Sequence, residues 1–158
     1  ADQTILKALS EMPRYGLKVV QVSDIWLSAP VPYDETQPWY HNAVAEIAPG
    51  KTPLKIMSTL LKIEQDFGRA RTTRNAPRIL DLDLISYDCL CCDAPGLTLP
   101  HPRMHERGFV LFPLQELAPE WQHPMSGKHI DDLISAIPAD QKAFPKSNAS
   151  SQNVSSAI

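Results

Sequence analysis

The polar and apolar positions along the chain predict the order helix, strand, strand, helix, strand. Apolar residues with helical spacing predict a first helix from Asp2 to about Met12. Two β-branched or alternating runs, Leu17 to Trp26 and Tyr40 to Ile47, predict strands. A second amphipathic run extends from Thr52 to about Phe67. It opens with Thr-Pro and stops at a glycine, as helices commonly do.

The third predicted strand, Ile79 to Tyr87, carries two acids within an apolar run. Leucines alternate there with Asp81 and Asp83. Successive side chains of a strand point to opposite faces, so both carboxylates are expected on one face. Burying two unpartnered carboxylates would be unfavourable by several kcal/mol each, so a cation or the nearby arginines must offset their charge.

The remainder of the chain predicts short elements and a polar tail. Leu97 to Leu99 is a candidate returning strand, and Ile130 to Ile137 a candidate short helix. From Pro138 onward serine, asparagine and alanine dominate without periodicity. We therefore predict one domain over residues 1–137 and a disordered tail over residues 138–158. With one strand ahead of the first helix, the order would be βαββαβ, an α+β, ferredoxin-like antiparallel sheet with helices packed on it.

Composition narrows the class of protein. The 158 residues fit a single domain, and a net charge of −3 argues against a general nucleic-acid binder. No apolar run approaches the length of about 18 residues that suggests a membrane span. The three cysteines are odd in number and crowded between Cys89 and Cys92. They form no disulfide framework, which favours a cytoplasmic location.

The stretch before the acidic run is rich in arginine, and the two features together predict a polyphosphate site. The arginines are Arg69, Arg71, Arg74 and Arg78. Guanidinium groups bind phosphate oxygens bidentately, and Mg²⁺ takes one or two carboxylates plus substrate phosphates. Taken alone, the two acids could also form structural salt bridges. The arginines alone could also belong to a solvated basic loop. Their proximity favours phosphate and Mg²⁺ binding.

Other polar positions are weaker candidates. The proline-rich stretch from Ser28 to Pro38 is long enough to be a binding loop. On the second predicted strand, Tyr40 and Asn42 share a face and could offer a stacking ring and an amide to a flat heterocycle, although they also suit an ordinary sheet surface. A basic cluster within seven residues could contact phosphate or form a solvated turn. Its members are His101, Arg103, His105 and Arg107.

Three motifs give the chain a family resemblance. They are QPWYHNAV from Gln37, RNAPRILDLDLISYD from Arg74 and LPHPRMHERGFVLFPLQELAPEW from Leu99. In this order they resemble the 6-hydroxymethyl-7,8-dihydropterin pyrophosphokinase family of folate biosynthesis, over about Ile5 to Trp121. The resemblance implies transfer of an intact diphosphate from ATP to the hydroxymethyl group of the pterin, with release of AMP.

The resemblance also implies roles for individual residues. Asp81 and Asp83 match aspartates that bind two Mg²⁺ ions on the ATP phosphates, and Arg69 and Arg78 match arginines that contact the transferred phosphates. Four further positions match ATP-binding residues, the first two of them on a mobile catalytic loop: Arg71, Arg74, His101 and Arg107. Six positions match the pterin pocket: Ser28, Ala29, Val31, Tyr40, Asn42 and Phe109. The implied partners are ATP and the pterin, with no nucleic acid or membrane, and a monomer is expected.

Some features depart from the family pattern. The family opens with a strand and a Gly-Ser-Asn segment that this chain lacks, and we expect the complete gene product to contain them. Asn75 stands where the family often has a tryptophan, and Pro102 where an aromatic residue is frequent. One alternative is therefore an inactive remnant or fragment that binds nucleotide without catalysis.

Two alternatives lie outside the family. Another Mg²⁺-dependent nucleotidyl or phosphoryl transferase could use the same paired aspartates. An RNA-binding module shares the βαββαβ order but needs exposed aromatic rings where this chain has ILDLDLIS.

Overall fold

The computed structural model describes residues 2–30, 32–68, 80–148 and 156–157, which form an α+β fold, as predicted. The helices are α1 (Asp2–Glu11), α2 (Pro53–Gly68), α3 (Gly108–Leu117) and α4 (Ile130–Ser135). The strands are β1 (Val19–Val22), β2 (Trp26–Ser28), β3 (Trp39–Asn42), β4 (Ala45–Ile47), β5 (Cys92–Ala94), β6 (Leu97–Leu99), β7 (Ala143–Pro145) and β8 (Ser156–Ala157). They form three small sheets, ordered β1-β4, β7-β2-β3-β8 and β5-β6, and every pairing except the parallel β3-β8 is antiparallel.

The two long predicted helices are confirmed. At the start of α2 the Thr52 hydroxyl accepts the N–H of Lys55 at 3.2 Å, so it caps the helix as expected. The inner face of α2 presents Ile56, Leu60 and Ile63 to the core. They pack in one cluster with Ala8 of α1, with Met12 and Leu17 in the residues that follow it, and with Leu80 of the acidic run.

The first two predicted strands pair with each other, but each is divided in the middle. β1 pairs with β4, and β2 pairs with β3. Between the two pairs, the Ser23 N–H donates to the carbonyl of Val44 and the Val44 N–H donates to the Ser23 hydroxyl, both at 2.9 Å. A side chain therefore replaces one backbone acceptor, and the two-stranded ribbon breaks there.

The predicted strand over Ile79 to Tyr87 is wrong for its described part, Leu80 to Tyr87. No strand is assigned to these residues. The Leu82 N–H donates to a carboxylate of Glu64 instead of a neighbouring strand, and the Ile85 carbonyl accepts the N–H of His101. The alternation nevertheless predicted the two faces correctly, since Leu80 is buried and both aspartates are exposed.

The C-terminal predictions are partly confirmed. β6 and α4 lie where the sequence predicted a strand and a helix. The prediction of disorder from Pro138 is wrong for β7, because Leu27 of β2 pairs with Phe144. The proposed domain boundary at residue 137 stays a prediction.

Within the described residues, none of the helices has the length and apolar character needed to cross a membrane.

Candidate functional site

The two aspartates lie on a segment held against α2. The Leu82 N–H, between the two acids, donates to Oε2 of Glu64 at 2.7 Å. Five residues further on, the Tyr87 hydroxyl donates to the carbonyl of Lys51 at 2.8 Å. Glu64 lies near the end of α2 and Lys51 just before its start, so the segment runs antiparallel to the helix. Its leucines face the core, and the two carboxylates face solvent.

The turn after β6 is tied to this aspartate segment through His101. The His101 N–H donates to the carbonyl of Ile85 at 2.8 Å. Burial lowers the pKa of His101, the nearby Asp83 carboxylate raises it, and the charges of Arg107 and Arg103 lower it, with a net lowering. Asp83, His101 and Arg107 are therefore close enough to interact electrostatically.

The lowered pKa keeps the His101 ring neutral at pH 7, so one ring nitrogen is a hydrogen-bond donor and the other an acceptor. Its Nδ1 accepts the N–H of Arg103 at 3.3 Å, so the proton of the neutral ring lies on Nε2. An Nε2–H group can donate a hydrogen bond to a phosphate oxygen.

Arg107 and Phe109 stand at the start of α3. Arg107 is the residue before the helix, with extended backbone angles. Its guanidinium carbon lies 5.5 Å from the centre of the Phe109 ring, a cation–π distance. Both side chains are partly exposed and remain accessible to a ligand.

A second group of predicted residues lies on one face of the β2-β3 pair. Ser28 is opposite Tyr40, and Trp26 is opposite Asn42. The Asn42 amide donates to the Ser28 hydroxyl at 2.9 Å. Ser28 and Ala29 are buried, whereas Tyr40 is 47% exposed. This face therefore combines a fixed amide with an accessible aromatic ring.

Trp26 connects the β2-β3 face to α3. Its ring stacks on Phe112, with centres 5.8 Å apart and planes at 12°. Glu116 holds the contact, because its carboxylate accepts the Trp26 indole N–H at 3.0 Å and the Asp24 N–H at 2.8 Å. Since Phe109 lies one turn before Phe112 on α3, it is carried by the element docked on β2. Neither Trp26 nor Glu116 could be predicted as a contact residue from the sequence, because nothing in their spacing signals this contact.

Five predicted site residues lie outside the described part of the chain. They are Val31, Arg69, Arg71, Arg74 and Arg78. The predicted phosphate contacts of the arginines and the pterin contact of Val31 stay predictions.

An open cavity of about 780 Å³ lies against the loop that follows β2. Its lining includes Pro30, Tyr33, Gln37 and Tyr40. Among the described residues, Tyr40 is the predicted pterin residue that lines it. Among those same residues, no three histidine, cysteine, aspartate or glutamate side chains cluster closely enough to hold a metal ion by themselves.

The buried histidine His123 follows α3. Its Nδ1 accepts the N–H groups of Met125 and Ser126, each at 3.2 Å, and its ring packs edge-on against His105 with centres 5.9 Å apart. Burial, and then the neighbouring His105, lower the pKa of His123. Protonation would also replace an acceptor of two N–H groups by a donor.

We expect the free energy of unfolding to fall as the pH is lowered from about 7.5. His101 and His123 have pKa values below the ordinary 6.5 in the folded chain, so the unfolded chain binds more protons below about pH 6.5. Each histidine contributes a slope of at most about 1.4 kcal/mol per pH unit, until the pH passes its lowered pKa. Urea unfolding at a series of pH values measures this slope.

The matched variant is His123→Asn, whose amide oxygen can still accept the two N–H groups but cannot titrate. Its unfolding free energy should depend less on pH than that of the unsubstituted chain. Equal slopes for the two proteins would contradict the contribution of His123.

Comparison with known proteins identifies the family. The family model described as 7,8-dihydro-6-hydroxymethylpterin-pyrophosphokinase matches residues 1–119. This chain belongs to that family. In the structure, a backbone hydrogen bond joins His101 to Ile85 of the acidic motif, and the QPWYHNAV motif includes the whole of β3.

Curated relatives carry the same family name. A 2-amino-4-hydroxy-6-hydroxymethyldihydropteridine pyrophosphokinase from Synechocystis is 42% identical over 122 residues, covering 77% of this chain and 62% of the relative. One from Pseudomonas aeruginosa is 38% identical over 137 residues, covering 86% of this chain and 82% of the relative. The folic acid synthesis protein fol1 of Pneumocystis carinii is 35% identical over 133 residues, covering 84% of this chain and 18% of that much longer protein.

Proposed function

We propose that this chain transfers the terminal diphosphate of ATP to the hydroxymethyl group of 6-hydroxymethyl-7,8-dihydropterin, with AMP as the second product. The observation that carries the proposal is the 2.8 Å hydrogen bond from the His101 N–H to the Ile85 carbonyl, which holds the basic turn against the segment that bears the acidic motif of this family. The names of the relatives support the same reaction.

The proposed reaction is an in-line displacement at phosphorus. The hydroxymethyl oxygen forms a bond to the β-phosphorus of ATP as the bond from that phosphorus to the oxygen bridging the α-phosphorus breaks. AMP leaves with the bridging oxygen, and the hydroxyl proton passes to water. Such a transfer asks the protein mainly for positioning and for positive charge near the phosphate oxygens.

On the phosphate side, the neutral His101 ring would donate its Nε2–H to a phosphate oxygen, and the Arg107 guanidinium would neutralise charge nearby. The arginines Arg69, Arg71, Arg74 and Arg78 would supply the remaining positive charge. They would contribute hydrogen bonds in the planar geometry that phosphate oxygens accept.

On the pterin side, the site needs aromatic rings that stack on the heterocycle and an amide that forms hydrogen bonds to its edge. The exposed Tyr40 ring and the Phe109 ring would bind the two faces of the heterocycle. The Asn42 amide, held by its bond to Ser28, would present its remaining polar atoms to the ring edge. Ala29 and Val31 would contribute backbone to the same pocket.

The aspartate pair fits Mg²⁺ in its donor chemistry. Asp81 and Asp83 offer carboxylate oxygens, the ligand type that Mg²⁺ prefers, and both are exposed on the same side of their segment. We propose that they hold two Mg²⁺ ions, which would supply positive charge to the ATP phosphates.

An alternative is a family member that binds nucleotide without catalysis. It would keep the aspartate segment and the basic turn but would form no product. Nucleotide binding alone therefore does not distinguish the two possibilities.

The test is AMP formation from ATP and Mg²⁺, measured with and without 6-hydroxymethyl-7,8-dihydropterin. We expect AMP to form only when the pterin is present, together with an equal amount of pterin diphosphate. A version of the chain extended upstream by the family's first strand serves as the comparison. Absence of AMP from both proteins, when both are folded and bind ATP, would support the non-catalytic alternative and refute the proposal.

A further inference from the structure

The side chain of Gln141 forms two hydrogen bonds to the backbone on either side of Arg107. Its Oε1 accepts the N–H of Gly108 at 2.9 Å, and its Nε2 donates to the carbonyl of Glu106 at 3.0 Å. One amide therefore uses both of its polar ends on the two peptide groups that flank Arg107. We call this arrangement the Gln141 clamp.

The clamp caps the N-terminus of α3 with a residue that is distant in the sequence. The first N–H groups of a helix have no partner within the helix, and Gly108 is the first residue of α3. Arg107, the residue before it, makes no capping hydrogen bond with its own side chain. Gln141, 33 residues away in sequence, supplies the acceptor instead. The Arg107 guanidinium, which has no acceptor for an N–H, lies near the ring of Phe109.

The fit between Gln141 and α3 is close. A Cβ atom placed on Gly108 would lie 3.0 Å from the Phe112 ring and 3.5 Å from Oε1 of Gln141. A side chain at position 108 would therefore crowd the Phe112 ring, which stacks on Trp26. The glycine thus allows the amide and the aromatic ring to approach the same backbone.

The segment that carries Gln141 is also fixed to the pterin side of the proposed site. The Ala29 N–H donates to the carbonyl of Lys142 at 2.9 Å, and β7 continues this pairing with β2. The Gln141 N–H itself donates to the carbonyl of Pro138 at 3.0 Å, which forms the preceding turn. Residues 141 and 142 therefore connect the end of β2 to the backbone at Arg107.

We propose that Gln141 is a positioning residue, which sets the backbone at Arg107 and Phe109 relative to β2. This inference rests on the proposed function, because it assumes that Arg107 faces ATP and Phe109 faces the pterin. With the clamp in place, the guanidinium and the ring start from backbone positions fixed against the strand that carries Ser28. Without the clamp, the backbone on either side of Arg107 loses two hydrogen bonds. Both substrates would then bind to a less ordered site.

The test compares two substitutions in the full chain. Gln141→Met keeps the length of the side chain and removes both hydrogen bonds. Gln141→Glu keeps an acceptor for the Gly108 N–H and removes the donor to the Glu106 carbonyl. The control is Gln115→Met on α3, where the amide donates to Asp131 on α4 at 2.8 Å, away from Arg107.

The main readout is the KM for each substrate in pterin-dependent AMP formation. Gln141→Met should raise the KM for ATP and for the pterin by about three- to tenfold each, as expected for the loss of ordinary hydrogen bonds, with a smaller change in kcat. Gln141→Glu should raise the KM for ATP but leave that for the pterin near its original value, because the start of α3 stays held. A residue that served stability alone would not produce this difference between the two variants.

The second readout does not depend on activity. Amide hydrogen exchange at Gly108 should be faster in Gln141→Met than in the unsubstituted chain and in Gln115→Met. Unchanged KM values in both Gln141 variants would overturn the positioning role, whatever the exchange rates. If neither the unsubstituted chain nor its upstream-extended version formed pterin-dependent AMP while folded and binding ATP, the proposed function would fail and the positioning role with it. The exchange rates would then report only whether the clamp exists.

Discussion

We expect Asp83→Asn to lower kcat for pterin-dependent AMP formation by about a hundredfold or more, the usual scale for removing a group that places charge at a reacting phosphate. The substitution keeps the shape of the side chain and removes its charge and one of the oxygens available to Mg²⁺. It also removes the carboxylate that raises the pKa of His101, so this ring stays neutral at pH 7. The loss should therefore come from the phosphate side of the site rather than from a new charge on His101.

Stability should hardly change in Asp83→Asn. The Asp83 side chain is exposed, and surface substitutions of this kind usually change the free energy of unfolding by no more than about 0.5 kcal/mol. The matched control is Asp93→Asn on β5, an exposed aspartate whose hydrogen bond to Thr98 is long, at 3.4 Å. It should keep normal activity.

The Mg²⁺ dependence of the rate provides a sharper readout. If Asp83 holds the metal, Asp83→Asn should need a higher Mg²⁺ concentration for half its maximal rate. A variant with normal kcat and normal Mg²⁺ dependence would refute the proposed metal site.

The second large effect is expected from Phe109→Ala, which should raise the KM for the pterin by about ten- to a hundredfold. Stacking of a flat heterocycle on an aromatic ring typically contributes about 1–3 kcal/mol by alanine substitution. The ring is half-buried at the start of α3, where the Arg107 guanidinium lies 5.5 Å from its centre. The KM for ATP should change by less than about threefold, because the cation–π contact with Arg107 contributes only about 0.5–1 kcal/mol at exposed sites.

Phe109→Leu is the control for packing. Leucine keeps much of the apolar volume but has no aromatic face, so the pterin KM should rise almost as far as in Phe109→Ala while stability is largely retained. Activity is measured well below the unfolding temperature of each variant. Normal pterin KM in both variants would place the pterin away from Phe109.

The helices were the most predictable part of this fold, for a local reason. The start of α2 follows from Thr52 and Pro53, because capping depends on residues within one turn of the helix terminus. The pairing of strands is not local in this sense. Alternation correctly placed Asp81 and Asp83 on one exposed side, but it could not tell that Leu82 would bond to the Glu64 side chain rather than to another strand.

In the candidate site, too, features set by local sequence were predictable and contacts between distant residues were not. Motifs predicted Asp81, Asp83, His101, Arg107 and Phe109 as candidates because the resemblance to the family is concentrated in two short stretches that contain them. The groups that hold those residues in place were not found. Glu64, Glu116 and Gln141 are 18, 90 and 33 residues from their respective partners, and single polar residues at such separations leave no periodic signal.

The sequence by itself therefore determined the family, the candidate residues for the proposed phosphate and pterin chemistry, and which side of the aspartate segment faces solvent. These features depend on side-chain chemistry and on neighbours within a few positions. The tertiary structure alone decided that His101 bonds to the aspartate segment, that Trp26 stacks α3 on β2, and that the polar segment after Pro138 returns to cap α3. Those contacts form between elements far apart in the chain, because backbone groups without local partners are satisfied by whichever groups the packed elements bring near them.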